Sequence, residues 1–515
     1  MKKLKTFVII IMCLCLGFSG VSCSNKDYSD KTVVFATVDS VSTFDPQLCE
    51  TSAEISIATN SFEGLMTKNE NGEVVNGAIE SYETNASKTV YTFKIKDSLV
   101  WSDGETVLSA ADFAFGIKRA ILKETESPFA SALFCIKNAK AVNKGEKSLD
   151  ALGVYSNNEN NTLTIELNES NEGFLEILTK PMCFPCNEAF FYKTNGKYGL
   201  SNKYIISNGA FSINYYNPDT KTAIIQRNDD YKGDFGAVPK QITINYNENY
   251  EDIYNDFQLN EVDVAVIDSS YIKSLEELDV NSKLFYNTNY CLYMSESLVS
   301  KYGNDLNRAL SVAISYDSIK KNISDSYKEA EGIVPQPNLY ENRNYRNIVG
   351  GVSLPQYSIT EAQKILGDYD AACEVLNGLS IYHPEDNERL SLISNIIIQG
   401  WQKDLNLYIN STADTQESIL SKIKSKEVKL AIIPVFSENN SANLSLNTLY
   451  DLGISENCER KNSQELFTTE QNLINKGVIY PIVAIPTAIS FSSELSGIST
   501  SKDGKIIDFR FVKKS

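Results

Sequence analysis

Ten cysteines, one histidine and 66 acidic residues are the chemistry-bearing stock of this chain, and few of them form a constellation. Cys183-Phe184-Pro185-Cys186 has the CxxC spacing of a dithiol redox pair or of half a zinc site. The first needs a strand-to-helix setting that lowers a thiol pKa; the second needs two further ligands nearby. The flanking sequence offers neither, so the pair reads as small apolar residues in a buried segment. The single histidine, His383, stands beside Pro384 in a stretch that reads as a surface loop. One histidine removes most Ser-His and Cys-His nucleophile schemes. No GxSxG, HExxH or P-loop pattern occurs. Acid pairs suited to glycoside hydrolysis exist in any chain this acidic, but nothing singles out two of them. The expectation is a binding protein, not an enzyme, with no metal and no cofactor.

The amino end carries a different kind of signal. Lys2, Lys3 and Lys5 precede an uncharged apolar run at 7–18, then Ser19, Gly20, Ser22 and Cys23. The run is too short to cross a bilayer and has the three-part layout of a secretory signal over residues 1–22. Cys23 after small residues resembles a bacterial lipobox, with Gly20 where Leu is usual. That implies a lipid on the Cys23 thiol and a polar tether over 23–31; the alternative is plain secretion with a passive cysteine. The formal charge of −18 becomes −21 once the three lysines of 1–22 leave. Such a chain is repelled by nucleic acid and by anionic headgroups, so membrane contact would come through the lipid alone, with two or three acyl chains. Seven cysteines beyond Cys23 are odd in number and widely spaced, which is no disulfide framework.

Strand and helix patterns alternate along the rest. Strands are expected at 32–37, 89–95, 162–167, 210–216, 222–227, 241–246, 262–267, 290–294, 379–382, 407–410, 430–436 and 480–485. Helices are expected at 52–65, 109–122, 250–259, 306–323, 360–366, 391–405, 417–425 and 468–475, with another starting at 174. The chain becomes polar over 437–447, with no element assigned there, and the strand-like 506–512 is expected to pair back into an earlier lobe. The alternation means α/β lobes with mixed sheets, and the length beyond residue 22 calls for two or three subdomains.

Several motifs then fall in order. Phe44-Asp45-Pro46 with Phe62-Glu63-Gly64-Leu65, Tyr91-Thr92-Phe93 with Trp101-Ser102-Asp103-Gly104, Asp112-Phe113 with Arg119, Ser207-Asn208-Gly209, Arg227-Asn228 with Tyr231, Arg308-Ala309-Leu310, and Gly332 to Pro335 together resemble the solute-binding proteins of peptide and nickel ABC importers. Ser127-Pro128-Phe129-Ala130-Ser131 resembles a segment of the oligopeptide-binding branch that lies beside the ligand cleft. The resemblance implies an α/β, two-lobe periplasmic-binding-protein-like fold with mixed sheets, a hinge between lobes and an extra subdomain in the first. Lobe I is expected from 32–67, 204–285 and 481–515, its extra subdomain from 68–203, and lobe II from 286–480. It implies a monomer held by lipid on the outer face of the cytoplasmic membrane, or on the periplasmic side in a diderm. It would bind a peptide and deliver it to ABC permease subunits.

The same matching implies ligand contacts at Glu50, Thr51, Ser52, Phe129, Tyr290, Tyr293, Val435, Phe436 and Glu438. Glu438 stands where the branch has the carboxylate that meets the ligand's α-ammonium. Departures accompany it: Ile432 for Arg, Pro434 for Gly and Val435 for Trp. They point to a more apolar or otherwise different ligand. A surface sensor or signal-peptide receptor of the same fold, not coupled to import, is the rival reading, and a secreted hydrolase the more distant one.

Overall fold

The computed structural model describes residues 29–515 except 248, 276, 279, 299–303, 324–325, 341–342, 368–374, 386, 437–440 and 460. One long mixed sheet organises it. Its ten path strands are β1 (Thr32–Thr37), β2 (Phe211–Asn217), β3 (Thr222–Arg227), β4 (Gln241–Tyr246), β5 (Val264–Asp268), β6 (Val280–Met294), β7 (Ser380–Pro384), β8 (Asn410–Asp414), β9 (Leu430–Val435) and β10 (Ile479–Ser492). Their spatial order is β8-β7-β9-β6-β10-β5-β1-β4-β3-β2, and the short strand Lys328–Glu329 pairs with β10 off this path. The first half of β6 pairs with the C-terminal part of β10, beside β5 and the core of one lobe; the second half of β6 pairs with the N-terminal part of β10, beside β9 and the core of the other. These two strands are thus the crossing between two lobes.

Within β6 the pairing Phe285↔Thr487 gives way to Thr288↔Ile485, so Tyr286 and Asn287 face the single residue Pro486. A second shift lies between Tyr290 and Cys291, where Pro481 becomes the partner. Proline has no N–H to give to a ladder, so each bulge sits where β10 cannot complete its hydrogen bonds.

A second, four-stranded antiparallel sheet, ordered Ile79–Thr84, Val90–Ile95, Thr162–Glu166, Val154–Asn157, lies under the helix Ala110–Ile121. Its buried side chains, among them Phe93, Trp101 and Phe113, belong to the same continuous core as Phe35 and Phe211 of the main sheet. Helix Ala110–Ile121 begins with a capping box between Ser109 and Asp112 and spaces Phe113, Ile117, Ala120 and Ile121 toward that core. Among the described residues no helix is long and apolar enough to cross a membrane.

Several expectations need correction. The helix expected at 306–323 is two, Asn304–Val312 and Tyr316–Asn322. The indole of Trp401 donates to the Leu310 carbonyl at 3.1 Å, and the Ser315 side chain caps the second helix, so one periodic run holds two helices. The strand expected at 407–410 begins only at Asn410: Leu407 and Ile409 fill the lobe II core, and the polar run NSTAD forms the sheet edge. The polar stretch at 437–447 contains most of a helix, Ala442–Asp451, capped by Ser441 and facing Ala442, Leu446 and Leu449 inward; residues 437–440 lie outside the described ones. Strand β6 starts ten residues before its expected start. His383 is no loop residue. It lies in β7 between β8 and β9, is 3% exposed, and donates from Nδ1 to the Pro384 carbonyl at 3.2 Å.

The C-terminal segment forms only two-residue strands, Ile507–Asp508 and Lys513–Lys514. It docks on helix Ser52–Ser61 through side chains. Asn60 donates to the Ile507 carbonyl and accepts from the Phe509 N–H, both at 2.8 Å, and Ser56 Oγ accepts from the Ile507 N–H at 3.1 Å. The buried Asn60 carboxamide thereby replaces a strand partner.

Candidate functional site

At the crossing the lobes enclose a cavity of about 200 Å³. Lobe I supplies Phe35 and Thr37 from β1, Asp39 just beyond it, Ser52 at a helix start, and Tyr250. The crossing strands supply Phe285, Asn287, Thr288 and Thr487, the last part of the chain supplies Asp503, Gly504 and Lys505, and lobe II supplies Phe436. Gly504 has φ +70° and lies so close to the Phe285 ring that an added Cβ would stand 2.4 Å from it, which fixes glycine at this turn.

The polar groups around the cavity are arranged by the fold. Burial pushes the Asp39 carboxyl above its usual range, opposed by hydrogen bonds from the Ser52 side chain and from the Ser52 and Ala53 N–H groups, and by the Lys505 charge. Burial, reinforced by the charges of Asp268 and Asp39, holds the Tyr250 phenol well above its ordinary value. Asp268, at the end of β5, meets Arg389 of lobe II at 2.7 Å. Burial alone would raise its pKa, but Arg389 and Ser270 hold it below the carboxylate norm.

Two of the expected contact residues, Ser52 and Phe436, line this cavity. Tyr290 is half-buried and packs on the lobe II core. Thr51 is committed elsewhere: its Oγ1 caps helix Ser52–Ser61 and donates to the Ser40 carbonyl at 2.8 Å. Glu50 is exposed, and its N–H donates to Glu54. Phe129 packs half-buried on the lobe I core, away from the cavity lining. Tyr293 and Val435 lie buried on the opposite face of β6 and β9 from Tyr290, in another core. Tyr293 borders a separate cavity of about 530 Å³ in lobe II. Glu438 and Cys23 lie outside the described residues.

Asp39, Tyr250, Asn287 and Lys505 were not foreseen. The polar run Ser501-Lys502-Asp503-Gly504-Lys505, with its turn-forming glycine, is the one sequence signal near any of them.

Cys183 and Cys186 are free and fully buried, as their apolar reading expects. Burial pushes the Cys186 thiol up to about 12 and the Cys183 thiol higher, so both rest as protonated thiols at neutral pH. Among the described residues no cluster of three metal-ligating side chains occurs.

Comparison with known proteins agrees with this geometry. The oligopeptide-binding protein OppA of Bacillus subtilis (strain 168) is 29% identical over 274 residues, 52% of this chain and 50% of that protein. The dipeptide-binding protein of Lactococcus lactis is 26% identical over 47% of this chain and 44% of its own length. The matching stretch therefore spans half or less of these relatives. Among solved structures, Listeria monocytogenes OppA bound to peptide superposes with a TM-score of 0.70 at 18% identity, covering 95% of this chain and 99% of that one. The pheromone receptor PrgZ does so with a TM-score of 0.68 at 21% identity, covering 95% and 100%. The fold is the two-lobe fold of these proteins. The family profile described as bacterial extracellular solute-binding proteins, family 5, matches residues 73–455, well over half of the sequence, and the chain belongs to that family.

Proposed function

We propose that this protein captures a short peptide between its lobes and delivers it to the membrane subunits of an ABC importer. The observation that carries the reading is the cavity on the crossing strands, lined from both lobes by apolar walls and a few polar groups, in a chain whose relatives are named as oligopeptide- and dipeptide-binding proteins. On this reading lobe I comprises 32–67, 204–285 and 481–515, its subdomain 68–203 and lobe II 286–480. A lipid on Cys23 holds a monomer outside the cytoplasmic membrane. Ser52, Tyr290, Phe436 and Glu438 are the contacts retained from the sequence, with Glu438 opposite the ligand's amino group.

Such cavities usually hold ~300–1,000 Å³, so the lobes of this smaller one must part to admit a peptide and close on it. Both tryptophans, Trp101 and Trp401, are fully buried outside the cavity, so thermal shift and small-angle scattering report binding better than tryptophan emission. Saturable stabilisation of about 2.7 kcal/mol is expected at a hundredfold excess over Kd. Silence toward a diverse library of di- to pentapeptides would overturn peptide capture. Glu438→Gln should weaken a peptide with a free amino terminus and leave its N-acetylated form unchanged; equal effects on the two would remove Glu438 from the amine site.

The likeness to a pheromone receptor favours one second reading, a peptide sensor without import. Uptake of a labelled peptide by cells that carry the protein, and its loss on deletion, separates the two.

A further inference from the structure

Four aromatic residues line the cavity at the crossing: Phe35 and Tyr250 from lobe I, Phe285 from β6 and Phe436 from lobe II. Among them stand two carboxylates, Asp39 and Asp503, and one cation, Lys505. The two acids are not equally committed. Asp503 accepts from the Ser501 hydroxyl and from the Lys505 N–H, the latter at 3.3 Å. Asp39 is half-buried, and no ion pair reaches it among the described residues. Its donors are the neutral groups of Ser52 and Ala53 at a helix start, and the Lys505 charge acts on it less than any of these. Burial outweighs them all, so the carboxyl titrates above its usual value. A carboxylate held in this way is short of positive charge. The rest of the polar lining does not supply it, because Thr288 and Thr487 carry neutral hydroxyls that accept as readily as they donate. Aromatic walls likewise favour a cation over an anion. At about 200 Å³ the cavity is smaller than the ~300–1,000 Å³ of sites that enclose a whole ligand, and its size suits one side chain.

Resting on the peptide reading above, we infer that this cavity is the pocket for a basic side chain of the bound peptide, with Asp39 as its counter-ion and the aromatic residues as its walls. The apolar stem of a lysine or arginine packs on the rings while its charged head meets the carboxylate. The ligand's amino terminus stays with Glu438, so two acids divide two positive groups. The acidic body of the protein, at a formal −18, draws such peptides toward the pocket.

The test uses the full secreted chain and tripeptides carrying lysine or arginine at each position in turn, each beside its neutral isostere, norleucine or citrulline. At one position the basic peptide should bind about tenfold tighter, the size of one charge-assisted hydrogen bond. Asp39→Asn should cut that ratio to about twofold or less and leave the affinity for the neutral peptide nearly unchanged, because Asn keeps an acceptor for Ser52 and Ala53. Its ligand-free thermal midpoint should stay level or rise, since an uncompensated charge is gone. Should that variant fail to fold, Phe436→Leu carries the comparison: it keeps an apolar wall, removes a ring and should lower the preference for the basic peptide. Equal affinities for basic and neutral peptides at every position would overturn the inference, as would a preference that Asp39→Asn leaves intact. So would an effect of Asp39→Asn that vanishes on N-acetylating the peptide yet survives loss of the basic side chain, because the amino terminus would then occupy the pocket. Wild-type protein that binds none of the tripeptides would overturn the peptide reading itself, a result distinct from peptides bound without regard to charge.

Discussion

Single residues here serve mostly to weld segments. Asp45 and Arg119 form a buried ion pair at 2.6 Å, with Gln47 accepting a further bond from the same guanidinium, so the segment after β1 is locked to the subdomain helix. Asn208 exchanges two hydrogen bonds with the backbone of Glu63, and Gly209 lies so close to Ser61 that a Cβ would meet its backbone at 2.6 Å. Glu63 itself is buried and accepts from the Tyr231 hydroxyl at 2.6 Å. Burial outweighs that bond and the charges of Arg510 and Lys96, so its carboxyl titrates above the usual value. An acid whose pKa is higher folded than unfolded holds its proton more tightly when folded. Its contribution to stability is therefore present at low pH and lost as pH rises from 4.5 through the folded value. Glu63→Gln should then flatten the decline of unfolding free energy above that pH and leave stability at pH 3 nearly unchanged, as read by denaturant titrations across pH.

These welds explain what could be read without coordinates. The motifs that reveal the family, around Asp45, Glu63, Arg119 and Asn208, are backbone and core fixtures that allow little substitution in type, so they stand out as residues. Apart from Ser52 and Phe436, the groups facing the cavity do not. Asn287 and Lys505 have no periodicity, and their role depends on a bulge and a turn that meet only in three dimensions.

At the scale of elements, helix Ser52–Ser61 is the piece that most depends on its end. Thr51 caps it, and the buried Glu54 carboxylate gathers the N–H groups of Ser42, Thr43, Glu50 and Thr51, folding the preceding loop against the first turn. Thr51→Ala should cost about 1 kcal/mol, measured by chemical denaturation, and because Ser52 follows directly, it should also weaken peptide binding. Strands with clear alternation, such as Gln241–Tyr246, were legible almost to the residue. The helix Ala442–Asp451 was not, because Asn, Ser and Thr mask its inward face, and the broken helix at 313–315 was not, because a distant tryptophan ends it.

For the whole molecule, the proposed capture between lobes would make lobe closure the governing equilibrium. Asp268 and Arg389 join the lobes at 2.7 Å beside the crossing, and both are partly exposed. Such a pair contributes at most ~1 kcal/mol and is screened by salt. Arg389→Met should shift the ligand-free protein toward an open form, seen as a larger radius of gyration. Raising salt from ~0.01 M to ~1 M, over which the Debye length falls from ~30 to ~3 Å, should open the wild type and leave the variant unmoved. The Asp268 carboxyl titrates below 3.8, so the link persists through neutral pH and is lost only as pH falls through that depressed value.

Strand β10 lies between β5 and β6, yet it is the last long strand to leave the ribosome. A chain that ends before residue 479 lacks the strand that pairs with both β5 and β6. Strand edges left without their partner invite pairing with other chains. A product truncated ahead of β10 is therefore expected to aggregate instead of standing alone as a smaller binder.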